Sequence, residues 1–355
     1  MSKSERSTLV AGGAGFIGSH LCRMLLEAGE HVVCLDNLQT SRPSNLATLT
    51  RYDNFEFIQA DVTAPWPSAL VARASRFHRI YNLACAASPP AYQRDPEHTM
   101  LTSVVGTAQL LRLAEASGAR FLLTSTSEVY GDPELHPQRE DYRGNVSCTG
   151  PRACYDEGKR AAETLSFDFA RSNRADVRVA RIFNTYGPNM DPCDGRVVSN
   201  VICQALSGNP VTLYGDGSQT RSFCYVTDTA EALRRLMEVD QIELEPVNIG
   251  NPRELTVREL AELVIAMLGR PVQLRNAPLP EDDPRRRRPN IDRAKALLDW
   301  EPTTTLEDGL RATIDWFARE LGDDVVVSAT VDAIDRHRRP RPTATSNSMR
   351  EVAAG

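Results

Sequence analysis

The run Thr8-Leu9-Val10-Ala11-Gly12-Gly13-Ala14-Gly15-Phe16-Ile17-Gly18 decides the fold. Residues 8–11 read as a buried strand, and the apolar spacing after Gly15 reads as a helix reaching about Ala28. Gly12, Gly15 and Gly18 stand at the turn between them. Their spacing suits a tight turn, a backbone that a pyrophosphate can approach, and close packing of helix on strand, with the helix N-terminus facing the phosphates. A second strand, His31-Val32-Val33-Cys34-Leu35, ends in Asp36. A carboxylate there can accept both hydroxyls of an adenosine ribose and repels a 2′-phosphate. Strand, glycines, helix, strand and acid in that order predict a Rossmann-type, doubly wound parallel sheet of the α/β class, and NAD rather than NADP.

Composition fits an enzyme of two lobes. The chain has 355 residues, with 41 basic against 47 acidic side chains and a net charge of −6, which argues against a nucleic-acid partner. It carries no run of about eighteen apolar residues, and its first apolar stretch is already the glycine turn. Neither a membrane span nor a signal peptide is expected, and a cytoplasmic protein is. The eight cysteines form no Cys-x-x-Cys pair and read as reduced, mostly structural thiols, with no metal site expected.

Further along, 55–59 reads as a third strand, with Asp61 and Val62 placed for an adenine edge, and 79–84 as a fourth. From Pro96 to Ser117 apolar residues recur at helical spacing, giving a long helix and a candidate dimer face. A strand at Phe121 to Leu123 delivers Thr124-Ser125-Thr126-Ser127-Glu128, and after a loop comes Tyr155-Asp156-Glu157-Gly158-Lys159. Tyr155 and Lys159, four apart, share a helix face, so the ammonium is expected to lower the phenol's pKa and make it a base. Thr126 is the hydroxyl placed to hold the same substrate oxygen. A strand over 177–182 returns to the sheet, after which Gly and Pro split shorter elements. The expected division is a mainly NAD-binding domain over 1–183, a smaller, mainly substrate-binding lobe over 184–320, and a loosely ordered tail over 321–355. Substrate is expected in the cleft between the lobes.

Longer stretches carry a family resemblance. They are Ser125-Thr126-Ser127-Glu128-Val129-Tyr130-Gly131-Asp132-Pro133, Gly150-Pro151-Arg152-Ala153-Cys154-Tyr155-Asp156-Glu157-Gly158-Lys159-Arg160, and the segments 180–188, 194–200 and 217–221. Over roughly residues 8–320 the chain resembles the extended short-chain dehydrogenase/reductases that act on nucleotide sugars, and among these the UDP-glucuronate decarboxylases. The resemblance implies NAD-dependent oxidation at carbon 4 of UDP-glucuronate, loss of carbon dioxide, and reduction to UDP-xylose, with release of the UDP-4-keto-pentose left open. Tyr155, Lys159 and Thr126 would serve the oxidation. Glu128 and Arg221 would serve decarboxylation and proton return, the arginine by pairing with the sugar carboxylate.

Asn184 and Arg196 would sit near the diphosphate, Tyr214 near the uridine ribose, and Arg287, alone of the four arginines 285–288, would also contact substrate. Phe16, Ile17, Asn37, Thr40, Ser41, Leu83, Thr102 and Thr185 complete the expected cofactor site, and a homodimer is implied. Related 4,6-dehydratases usually carry an aspartate where Ser127 stands, and simple 4-epimerases a small uncharged residue where Glu128 stands. Both stay as alternatives, as does a regulator that binds NAD and a nucleotide sugar without turnover. Leu101 and Ser103 replace a lysine and an asparagine common in the family, Ala86 a proline and Asn189 an arginine, which puts the final reduction in question.

Overall fold

The structure is a computed structural model that describes residues 6–240, 242–280 and 284–322. The expected tail lies outside the described residues from 323 onward. Strands β1 (Ser7–Ala11), β2 (His31–Asp36), β3 (Phe55–Gln59), β4 (Phe77–Asn82), β5 (Arg120–Thr126) and β6 (Val177–Ile182) pair in parallel. The strand Val247–Ile249 joins the β6 edge, giving a seven-stranded sheet in the order Val247–Ile249, β6, β5, β4, β1, β2, β3. Chain direction across the sheet reverses between β1 and β4, which opens a crevice at the carboxyl ends of those strands.

Both faces of this sheet are covered, as near-continuous apolar strands require. Leu9, Ala11, Phe121 and Leu123 pack on one face with Leu110, Leu111 and Ala162, while Val10 and Leu122 pack on the other with Leu21, Leu25 and Leu233. That alternation is the period-two geometry of a strand. A separate core of Ile202, Leu213, Phe223, Leu260, Leu310 and Phe317 builds the lobe beyond the sheet. Residues 184–320 serve both bodies, because Val247–Ile249 extends the main sheet and the helix Val226–Glu238 packs on the same core as the helix Phe16–Glu27.

Two elements differ from expectation. The fourth strand ends at Asn82, and Leu83 and Ala84 turn away, their main-chain N–H groups donating to the Ala11 carbonyl at 2.8 Å and to Asn82 Oδ1 at 3.2 Å. The run 96–117 is helical throughout but not uniformly α. A π turn, Thr102–Gly106, separates Pro96–Leu101 from Thr107–Ser117. Among the described residues, no helix is long and apolar enough to cross a membrane, and no cluster of three or more His, Cys, Asp or Glu could hold a metal.

A buried ionic network clamps the end of β5 to β6. Glu163, on the helix Ala153–Arg171, accepts from Ser125 Oγ and from both Nε and Nη2 of Arg181, at 2.9 and 2.7 Å. Arg181 Nη1 also donates to the Tyr130 hydroxyl at 3.0 Å. Removing one charge of such a pair leaves the other desolvated and uncompensated. Glu163→Gln is therefore expected to lower stability by about 3 kcal/mol in denaturant unfolding, against a few tenths if the pair behaved as a surface contact.

Candidate active site

Gly12 has φ +76°, a conformation that side chains disfavour, and a Cβ there would stand 2.6 Å from the Leu83 carbonyl carbon. At Gly18 a Cβ would fall 2.1 Å from the Gly12 carbonyl oxygen, so only glycine lets the helix approach the turn. The crevice beside them is lined by Gly12, Gly15, Asp36, Asn37, Thr40, Ser41, Val62, Leu83 and Thr102 among others. Asp36 accepts from Ala14 N at 3.0 Å, Leu38 N at 2.8 Å and Ser41 Oγ at 3.0 Å. Burial pushes its carboxyl above the ordinary value, and those three donors pull it back. A glycine turn opening a helix, with a fixed acid at the next strand's end, fits NAD.

Other expected cofactor residues act less directly. Phe16 packs on the lobe's core and Ile17 on the sheet's core, which leaves the main-chain N–H groups of the helix start to a phosphate. Asp61 does not line the crevice. Its carboxylate instead accepts from Asn37 Nδ2 at 2.7 Å and meets His98 Nε2 at 2.8 Å, both residues of the crevice wall. Thr185 is buried, bonded to the Phe183 carbonyl and the Thr229 hydroxyl.

At the end of β5, Thr126 caps a short 3-10 turn, Ser127–Tyr130, by accepting from Glu128 N at 3.2 Å. The same hydroxyl lies close enough to the Tyr155 phenol to favour its ionised form. Tyr155 is buried, its ring stacked on Tyr92 at 5.1 Å between centroids and 4° between planes. The expected lowering of the phenol by Lys159 does not hold. Burial pushes Tyr155 up, Cys85 and Glu128 add to that, and Thr126 and Arg196 oppose it. Lys159 Nζ donates to the Thr124 carbonyl at 2.9 Å, and its own burial lowers its pKa. Its first structural effect is to fix the catalytic helix against β5.

Glu128 is also buried, but two guanidiniums outweigh the cost of its charge and hold the carboxyl below the usual range. Arg152 Nη2 donates to Oε2, and Arg287 Nη1 stands 3.6 Å from Oε1. Arg287 Nη1 also donates to Asn184 Oδ1 at 3.4 Å, while its Nε and Nη2 are buried with no hydrogen-bond partner among the described residues. Arg221 pairs with Arg287 across two short strands, its Nη1 donating to the Thr220 carbonyl at 2.8 Å. Arg287 thus stands beside Glu128 together with Arg152. The four arginines do not form one patch, since Arg285 and Arg286 are exposed and Arg287 is buried.

Arg196 precedes the helix Val197–Leu206, pairs with Asp194 at 3.3 Å, and is close enough to favour the Tyr155 phenolate. Tyr214 ends the strand Val211–Tyr214 in the lobe. Sequence reasoning gave no role to Arg152 or Asp156. Both meet Glu128 in the fold, and their four-residue spacing at the start of the catalytic helix is the signal that would place them on one face.

Comparisons with known proteins show the family. Residues 8–250 match the NAD dependent epimerase/dehydratase family. The chain is 49% identical over 319 residues to UDP-glucuronic acid decarboxylase 1 of Danio rerio, covering 90% of this chain and 74% of the relative. It is 50% identical over 321 residues to UDP-glucuronic acid decarboxylase 6 of Arabidopsis thaliana, covering 90% and 91%. A crystal structure of UDP-glucuronic acid 4-epimerase from Bacillus cereus, in complex with UDP-glucuronic acid and NAD, superposes with a TM-score of 0.80 at 27% identity, covering 88% of this chain and 99% of that one.

The glycine turn gives a direct test. In Gly18→Ala the added methyl meets main chain that cannot yield. Expected are a stability loss of about 1–3 kcal/mol and an NAD affinity weaker by at least about tenfold, read by calorimetric titration. An unchanged affinity would remove the turn from the binding site.

Proposed function

Because the chain belongs to the NAD dependent epimerase/dehydratase family, we propose that it decarboxylates UDP-glucuronate to UDP-xylose through a UDP-4-keto sugar, using NAD that is regenerated within each turnover. The observation that carries this reading is the buried Glu128, held between Arg152 and Arg287 one turn from the Thr126 hydroxyl and the Tyr155 phenol. An epimerase that only removes and returns a hydride has no use for such a pair. A 4,6-dehydratase needs an acid for the departing 6-hydroxyl, and the position before Glu128 holds Ser127, a poor acid.

Bound NAD supplies the hydride acceptor for carbon 4 and later the donor. Tyr155 takes the proton of the sugar's 4-hydroxyl, and Thr126 holds that oxygen in line. Lys159 keeps the phenol in register through Thr124, while Arg196 adds positive charge that favours the phenolate. The carbon 4 ketone lies β to the carboxylate, so the electrons of the breaking carbon–carbon bond pass into an enolate. Arg287, whose Nε and Nη2 have no partner among the described residues, suits the substrate carboxylate, and Arg221 supports it from the neighbouring strand. Asn184 and Arg196 are assigned to the diphosphate and Tyr214 to the uridine.

A homodimer is part of the same reading. It rests on the helical runs 96–117 and 153–171, where Leu101 and Val105 stand 41% and 37% exposed. Leu101, where the family resemblance implies a lysine, bears on the product, because weaker hold on the keto sugar would let it leave before reduction.

Incubation with UDP-glucuronate and mass analysis of the nucleotides is expected to show a UDP-pentose, and recovery of unchanged or epimerised uronate would overturn the assignment. Tyr155→Phe is expected to slow turnover by at least about a hundredfold with NAD binding retained.

A further inference from the structure

The reaction proposed above consumes a proton. A carboxylate and a proton become a carbon–hydrogen bond and carbon dioxide, whereas the proton that Tyr155 takes from the 4-hydroxyl must go back to that oxygen at reduction. A second donor is therefore required near carbon 5. Glu128 is poorly suited to store it, because both of its oxygens face guanidiniums.

Among the described residues, Glu128, Arg152, Arg287, Asp132 and Asp156 line a second cleft, and no histidine does. Asp156 follows Tyr155 on the catalytic helix, is buried, and shares this cleft with Glu128, close enough for each to shift the other's ionisation. Two carboxyl groups buried beside one another do not both ionise readily, so one of them keeps its proton. The Asp156 oxygen Oδ1 is buried with no hydrogen-bond partner among the described residues, and so is the hydroxyl of neighbouring Tyr92.

Resting on the decarboxylase reading, we propose that Asp156 stores the proton consumed in each turnover and passes it through Glu128 to carbon 5. Carbon dioxide loss leaves an enolate. The Asp156 O–H passes its proton to the Glu128 carboxylate, which hands it on to carbon 5 and is left ionised again, and Asp156 regains a proton from solvent through the cleft. Asp156 acts through Glu128 and is a positioning and storage residue. Burial first, and the Glu128 charge second, push its carboxyl up to about 8, against the opposing pull of Arg152 and Arg287, so it holds its proton at neutral pH. A group that must be protonated supports activity below its pKa and loses it above.

The test is kcat/KM against pH for the full chain with NAD and UDP-glucuronate, in wild type, Asp156→Asn and Asp156→Glu. Asparagine can still donate to Glu128 but cannot release a proton. Wild type is expected to lose activity above pH about 8, by about tenfold per pH unit. Asp156→Asn is expected to be about a hundredfold slower and to lack that alkaline limb, and Asp156→Glu to restore a limb at a displaced midpoint. A wild type without the limb, or an Asp156→Asn enzyme that keeps it or keeps the wild-type rate, overturns the proposal. If Asp156→Asn does not fold, an unmoved limb in Asp156→Glu overturns it. Failure of the decarboxylase reading is separate, since wild type would then release no carbon dioxide at any pH.

Discussion

The 2.9 Å hydrogen bond from Lys159 Nζ to the Thr124 carbonyl joins the catalytic helix to the strand that ends in Thr126. An ammonium buried to this degree is costly, and desolvation lowers its pKa. The cost is tolerated because the bond sets the register of helix against strand, bringing the Tyr155 phenol near the Thr126 hydroxyl. Stacking of Tyr155 on Tyr92 fixes the ring plane from the other side. Flanking the tie, Glu163 holds Ser125 and Arg181, so the end of β5 has little freedom to drift.

With that register set, the site becomes a problem of buried charge. Glu128 and Asp156 come from the sheet domain and meet Arg152 of the same domain and Arg287 of the lobe. The lobe's arginine is held in place by a strand pair with Arg221 and by the loop after β5, where Gln138 N donates to the Arg288 carbonyl at 2.9 Å and Arg288 N to Gln138 Oε1 at 2.7 Å. Two cations beside two carboxyls allow one acid to stay charged and the other protonated, roles that separate when environments push the pKa values apart.

What the sequence made legible is what is local. The strand, glycine turn, helix and acid from Thr8 to Asp36 lie within one βαβ segment, and nine of the expected cofactor residues line one crevice. Tyr155 and Lys159 were legible from helical spacing. The association of Glu128 with Arg152 and Asp156 was not, because it spans a loop of irregular chain whose path no periodicity reveals. Arg287 reaches Glu128 only after the lobe's short strands have paired. The raised phenol was not legible either, since charge proximity can be counted along a helix while burial depends on everything packed around it. Likewise the π turn at Thr102–Gly106 leaves apolar spacing helical and changes only the backbone.

The central claim is that the oxidation at carbon 4 is borrowed and returned within one turnover, which is what makes the carboxyl a leaving group. UDP-glucuronate carrying deuterium on carbon 4 measures this most directly. The account predicts a UDP-pentose that keeps the label on carbon 4, with carbon dioxide released in equal amount. A pentose formed with hydrogen at carbon 4 in place of the label, or a labelled six-carbon uronate as the sole product, would contradict it.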